Sequence, residues 1–130
     1  MTRLASLVLV VRDLERALAV YEQCLGFARL APASDVPSMG ARQILLGAQN
    51  CVIELLEPHD ETKPPGMFLR ERGEGVFALA VGVDDPPRTR ERLGRVGVEV
   101  VDAGEAVTYV RPRDAQGVLV EIGPAGPPKD

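Results

Sequence analysis

LASLVLVVRDL (Leu4–Leu14) and GEGVFALAVGVDD (Gly73–Asp85) are the two stretches on which the fold turns. In each, an apolar run of strand length ends at an aspartate and a helix-like segment follows. Outward from the first, Leu4–Val11 is a predicted strand and Asp13 a helix N-cap. Leu14, Ala17, Leu18, Tyr21, Cys24 and Leu25 recur at helical spacing and form one apolar stripe. Gly26 stops that helix from the C′ position. Strands are expected around Phe27–Leu30, Gln43–Leu46 and Cys51–Leu56, with Pro32–Gly40 as a loop. Pro58–Gly66 reads as a polar linker carrying the single histidine, His59, and Met67–Arg72 as one helical turn.

The second stretch starts the same plan again. Val76–Val83 is a predicted strand and Asp85 its helix cap, with Pro86 and Pro87 in the first turn, where a missing N–H does no harm. The helix runs to about Val96 and Gly97 closes it. Strands follow near Val98–Val101, Val107–Arg111 and Val118–Ile122, then a Pro/Gly tail. Ser6 to Gly26 is 20 positions and Ala78 to Gly97 is 19; Gly26 to Glu54 is 28 and Gly97 to Glu121 is 24. Such matched spacings point to an internal duplication. The fold class is α+β, a strand–helix–three-strand module written twice. The expected division within one domain, 1–130, is a first module over 4–57, a linker over 58–75, a second module over 76–123 and a flexible tail over 124–130. A half of this size does not easily bury both faces of its sheet, so the two should share a core. The second helix is the weaker copy. Arg88, Arg90, Arg92 and Arg95 leave it a thin apolar face of Thr89, Leu93 and Val96, and Gly94 costs it about 1 kcal/mol against Ala. Its arginines read as a solvated face, or as a basic rim for an anionic ligand.

Composition narrows the function. Hydrophobic residues make up 45% of the 130, enough for a buried core. Fifteen basic and 19 acidic residues are scattered, which argues against a nucleic-acid footprint. The longest apolar run is too short to span a bilayer, and no signal-peptide cleavage pattern follows it. Cys24, on the predicted buried helix face, and Cys51, at a strand edge, read as reduced packing residues of a cytoplasmic protein. The Ala-, Arg-, Gly-, Pro- and Val-rich composition is consistent with a GC-rich bacterial source.

The duplicated βαβββ plan, with VRDLERALAVYEQCLGF (Val11–Phe27), IELLEP (Ile53–Pro58), FLRERGEG (Phe68–Gly75), VGVDD (Val81–Asp85) and GVLVEI (Gly117–Ile122), resembles the vicinal-oxygen-chelate superfamily, the glyoxalase/bleomycin-resistance/dioxygenase fold. Within it the chain is most similar to the methylmalonyl-CoA epimerase family. The resemblance covers Leu4 to Gly123 and implies a curved mixed sheet around a cavity, a small-molecule ligand and a homodimer. It also implies a divalent metal held by a histidine opening each module and an acceptor on each module's last strand. The acceptor positions match Glu54 and Glu121; the histidine positions match Ser6 and Ala78. A metal that polarises a carbonyl needs several donors converging on it, and two carboxylates suit at most a weakly held Mg²⁺ or Ca²⁺. The expected cofactor is therefore none, or a weak divalent cation. Of the family's two carboxylate bases, one matches Glu121 and the other falls at Gln43, which takes up no proton.

The candidate site follows. Strand alternation gives Val52, Glu54 and Leu56, and Leu119, Glu121 and Gly123, a common inward face, and in the fold that the resemblance implies Glu54 and Glu121 are expected to face each other across the central cavity. Glu54 and Glu121 are the candidate acid/base pair, one of them expected to have a raised pKa, unless Arg42 or Arg111 neutralises them. Ser6, Gln43, Phe77, Ala78 and Tyr109 are the candidate ligand-binding residues, Tyr109 through its hydroxyl or else as a half-buried strand aromatic. Three functions remain open: a metal-free binder of a carbonyl or acyl ligand; a metal-independent isomerase or lyase, including a residual epimerase; and a structural partner with a filled cavity.

Overall fold

The structure, a computed structural model, describes residues 1–102 and 108–125. It divides into two compact units, Ser6–Phe77 and a second made of Met1–Ala5 with Ala78–Asp130.

In the Ser6–Phe77 unit the strands β1 (Arg3–Val10), β2 (Ala28–Arg29), β3 (Ser34–Val36), β4 (Ala41–Gly47) and β5 (Val52–Pro58) are ordered β2-β4-β5-β1, with β3 also on β4. β1 and β5 run parallel, Val8 opposite Glu54 and Val10 opposite Leu56. β4 and β5 are antiparallel, Leu45 opposite Glu54 and Gln43 opposite Leu56. Helix α1 (Leu14–Leu18) covers one side of this sheet. Leu14, Ala17 and Leu18 pack there on Ile44, Leu46, Ile53 and Leu55, with Leu9, Tyr21 and Phe27 at the margin. Each fully buried leucine in such a cluster is worth about 1.5–3 kcal/mol over an exposed one.

The start of α1 is held twice. Asp13 caps it by accepting from the Arg16 amide at 3.2 Å. Glu57 of β5 accepts from the Leu14 amide at 2.7 Å, placing a carboxylate at the positive end of the helix. Arg42 bridges Glu57 and Glu15 at 3.2 and 3.3 Å.

After Leu18 the chain departs from the expected straight helix and becomes a π-helix over Ala19–Cys24. Leu25 donates to the Val20 carbonyl, five residues back. The wider turn rotates the stripe, so Cys24 is exposed, not buried as its spacing implied, and Leu25 is 61% exposed. Gly26 closes the segment at φ +82°, as the C′ reading requires. Two further corrections concern the connections. The Pro32–Gly40 segment holds β3 and a 3₁₀ turn (Pro37–Met39) instead of being all loop, and α2 (Pro64–Arg72) is nine residues instead of one turn.

In the second unit β6 (Gly75–Val83), β7 (Val100–Asp102), β8 (Thr108–Val110) and β9 (Leu119–Pro124) are ordered β6-β9-β8-β7, with β6 and β9 parallel. Helix α3 (Pro86–Arg95) begins at Asp85, which accepts from the Arg88 amide at 3.1 Å, and packs on β7 and β9. It buries none of its residues fully, in keeping with its thin apolar face, and Arg90 is drawn to Asp102 at 2.6 Å. The expected start of β8 at Val107 and the tail beyond Ala125 lie outside the described residues.

Two helical glycines answer to opposite constraints. A Cβ at Gly66 in α2 would fall on the Asp60 carbonyl oxygen, whereas one at Gly94 in α3 would meet nothing within 4 Å. Gly66→Ala should therefore destabilise the protein by about 1–3 kcal/mol despite alanine's higher helix propensity. Gly94→Ala should stabilise it by up to about 1 kcal/mol. Urea denaturation of both variants checks the pair, and equal effects at the two positions would contradict this packing.

Candidate functional site

Each unit presents a sheet face turned away from its helix, and on these faces lie most of the sequence-predicted residues. In the Ser6–Phe77 unit, α1 takes the side of Ile44, Leu46, Ile53 and Leu55. By alternation the other side carries Ser6, Val8 and Val10 of β1, Glu54 and Leu56 of β5, and Gln43 and Leu45 of β4. Ser6, Gln43 and Glu54 are half-buried, while Val8, Val10 and Leu56 are fully enclosed. Arg42, next to Gln43, points the other way to Glu57 and Glu15, so it does not neutralise Glu54 from this face.

In the second unit, Val100, Thr108 and Ile122 face α3 and share a hollow with Pro86, Pro87 and Arg90. The opposite side carries Ala78, Ala80 and Gly82 of β6 and Leu119, Glu121 and Gly123 of β9. Tyr109 of β8, opposite Glu121, and Val101 of β7, opposite Tyr109, complete it. Ala78, where the resemblance expects imidazole, is fully buried. Tyr109 and Glu121 are half-buried direct cross-strand neighbours. Ala80, Gly82, Glu121 and Gly123 line a hollow of about 210 Å³ with Ala5 and Thr108.

Burial pushes the Glu121 carboxyl above the usual carboxylate range. Among the described residues neither this carboxyl nor the Tyr109 hydroxyl has a hydrogen-bond or ion-pair partner. Neither is sealed off, since no described side-chain nitrogen or oxygen is both buried and unpaired. Phe77 is different. Its ring is buried edge-on against Phe68 of α2, centroids 5.5 Å apart, which makes it a packing residue and removes it from the ligand-binding set. His59 is an exposed surface residue, its Nε2 2.7 Å from Asp35 of β3. Arg88, Arg92 and Arg95 line an open groove on the outer side of α3.

Sequence reasoning missed Ala80 as the residue directly opposite Glu121 on β6. The signal was present: Ala78, Ala80 and Gly82 are small at every second position. Glu57 as the distant cap of α1 had no such signal, because its partner Leu14 lies 43 positions away.

Among the described residues no three of His, Cys, Asp and Glu come together as a metal-holding group, and no helix is long and apolar enough to cross a membrane.

The raised Glu121 pKa has a definite sign in stability. The folded state binds this proton more tightly than the unfolded state, so stability is complete below the ordinary carboxylate pKa. It is lost as pH rises through the raised value. Glu121→Gln removes that loss. The melting-temperature difference, variant minus wild type, should grow as pH rises above the ordinary carboxylate range and level off once the Glu121 carboxyl is fully ionised. Thermal denaturation across this range checks it, and a pH-independent difference would refute it.

A family model described as a glyoxalase-like domain matches residues 7–124. An ethylmalonyl-CoA/methylmalonyl-CoA epimerase from Cereibacter sphaeroides is 33% identical over 129 residues, covering 92% of this chain and 96% of that protein. The crystal structure of methylmalonyl-CoA epimerase from Mycobacterium tuberculosis superposes with a TM-score of 0.79 at 31% identity, covering 95% of this chain and 88% of that one. A hypothetical protein from Bacillus halodurans superposes with a TM-score of 0.86 at 28% identity, covering 99% and 98%. With the family match spanning both βαβββ modules, this chain belongs to the glyoxalase-like domain family, in the vicinal-oxygen-chelate superfamily and close to the methylmalonyl-CoA epimerases.

Proposed function

We propose that this protein binds a small acyl ligand, of the acyl-CoA class or a related carbonyl compound, without a resident transition-metal ion. One observation carries the proposal: Glu121 is a half-buried carboxyl with no partner among the described residues, set beside Tyr109 on a floor of alanine and glycine. Apolar walls with a few polar groups are what a ligand pocket needs. The acyl-CoA class is suggested by the epimerase relative that covers 92% of the chain.

The donor set speaks against a resident transition metal. Where the resemblance expects two imidazoles, Ser6 offers a hydroxyl and Ala78 a methyl group. A borderline-soft cation such as Zn²⁺ is held by nitrogen and sulfur donors, closing four positions in a structural site and three in a catalytic one. Glu54 and Glu121, as hard oxygen donors, suit Mg²⁺ or Ca²⁺ with several waters and weak retention.

A second possibility is catalysis without a metal, with Glu54 and Glu121 as acid and base, and a residual epimerisation among the reactions open to it. The raised pKa of Glu121 favours this, because a carboxyl titrating nearer neutrality is a better proton shuttle. Gln43 counts against inversion at carbon through two bases, since an amide does not accept the proton.

Propionyl-CoA and methylmalonyl-CoA should each raise the melting temperature. At ligand a hundredfold above Kd the gain is about 2.7 kcal/mol, a shift of several degrees in a chain of this length. The shift should survive dialysis against EDTA. A shift that vanishes with EDTA and returns with Co²⁺ or Zn²⁺ would overturn the metal-free proposal. Absence of any shift with either thioester would overturn the ligand class. For the catalytic alternative, Glu121→Gln should abolish turnover of methylmalonyl-CoA while leaving its affinity nearly unchanged.

A further inference from the structure

Tyr109 is the hydrogen-bond donor that stands directly opposite Glu121 on its face. Its neighbours there, Ala78, Ala80, Gly82, Val101, Leu119 and Gly123, carry no polar side-chain atom. A partly buried tyrosine hydroxyl normally finds a partner. This one has none among the described residues, and yet it is not sealed away. It is therefore a donor held ready in an apolar setting, where a hydrogen bond is stronger than in water.

The register fixes what that donor can serve. Tyr109 and Glu121 are opposite each other on adjacent antiparallel strands, and residues so placed have side chains in contact range on one face. A tyrosine side chain reaches farther from its strand than a glutamate. A planar acyl group lying on the alanine–glycine floor would thus meet the phenol at one edge and the carboxyl at the other. An acyl thioester has an acceptor and an acidic C–H on adjacent carbons, which matches this pair.

We propose that the Tyr109 hydroxyl is the carbonyl anchor of this protein, donating a hydrogen bond to the thioester oxygen of an acyl-CoA ligand whose α-carbon lies beside Glu121. This rests on the acyl-ligand proposal above and assigns its electrophilic contact to a hydroxyl on β8.

The test uses the full chain with EDTA present and propionyl-CoA labelled with ¹³C at the thioester carbonyl. Isotope-edited infrared spectroscopy reads the carbonyl stretch of the bound probe. In the wild type the band should move to lower frequency than in buffer. In Tyr109→Phe it should return towards the buffer position, and affinity should fall about 2–10-fold, the effect of one hydrogen bond. A purely structural role for Tyr109 would not move the band. Incorporation of 3-fluorotyrosine into the wild-type sequence gives a second readout that needs no substitution at Tyr109. Of the two tyrosine signals, assigned with Tyr21→Phe, propionyl-CoA should displace that of Tyr109. A bound probe with an unshifted band, a band unaffected by Tyr109→Phe, or a stationary Tyr109 signal would overturn the anchor while leaving the ligand class standing. Failure of propionyl-CoA to bind the wild type at all would overturn both.

Discussion

The parallel pairing of the first and last strand of each module is the constraint on which the rest depends. β1 lies along β5 with Val8 opposite Glu54, and β6 lies along β9 with Ala80 opposite Glu121. A parallel pair cannot be closed by a tight turn, so the chain must leave, form a helix and return. In each module the helix lands on one side of the sheet, and every second residue of the strands is committed to it. The remaining residues point away from that helix, and they include both carboxylates. A shift of one residue in either pairing would put Glu54 against the α1 core and Glu121 under α3.

The two units meet this constraint with different energetics. In Ser6–Phe77 a compact set of leucines and isoleucines holds α1, and Glu57 with Asp13 satisfies its first amides. Two carboxylates at one helix start are favoured by the helix dipole, and Arg42 offsets their repulsion. Helix α3 has no comparable core. It is tied by its Asp85 cap, by contact with β7 and β9 and by the bidentate Arg90–Asp102 pair. Exposed ion pairs of that kind contribute little, so α3 is the more loosely held of the two helices.

The face around Glu121 shows what small side chains leave open on a sheet. Alanine and glycine on β6 and β9 give up contact area but leave the backbone and the few polar groups accessible. Burial raises the Glu121 pKa, whereas an arginine in contact would have lowered it. Several arginines are engaged elsewhere, among them Arg29 with Glu22, Arg42 with Glu57 and Glu15, and Arg90 with Asp102. Burial then lets the Glu121 carboxyl keep its proton longer.

By itself the sequence determined the elements whose signals are local. Apolar runs gave β1 and β6, aspartates marked the starts of α1 and α3, and Gly26 and Gly97 marked where the helical segments end, both at positive φ. The matched spacing of these signals pointed to a duplication, and period-two alternation grouped Val52, Glu54 and Leu56, and Leu119, Glu121 and Gly123. What only the tertiary structure decided involves partners far apart in the chain. The π-helix that exposes Cys24 depends on how the segment after α1 meets the sheet margin through Tyr21 and Phe27. Strand β3 exists because β4 offers it an edge, against the local Pro- and Ser-rich composition. Phe77 is claimed by Phe68, Arg42 by Glu57, and Gly66 by the close approach of the Asp60 carbonyl. The pairing of Tyr109 with Glu121 belongs to the same class. It is a register, set by hydrogen bonds between β8 and β9, and composition and periodicity along one strand do not encode which residue of the next strand stands opposite.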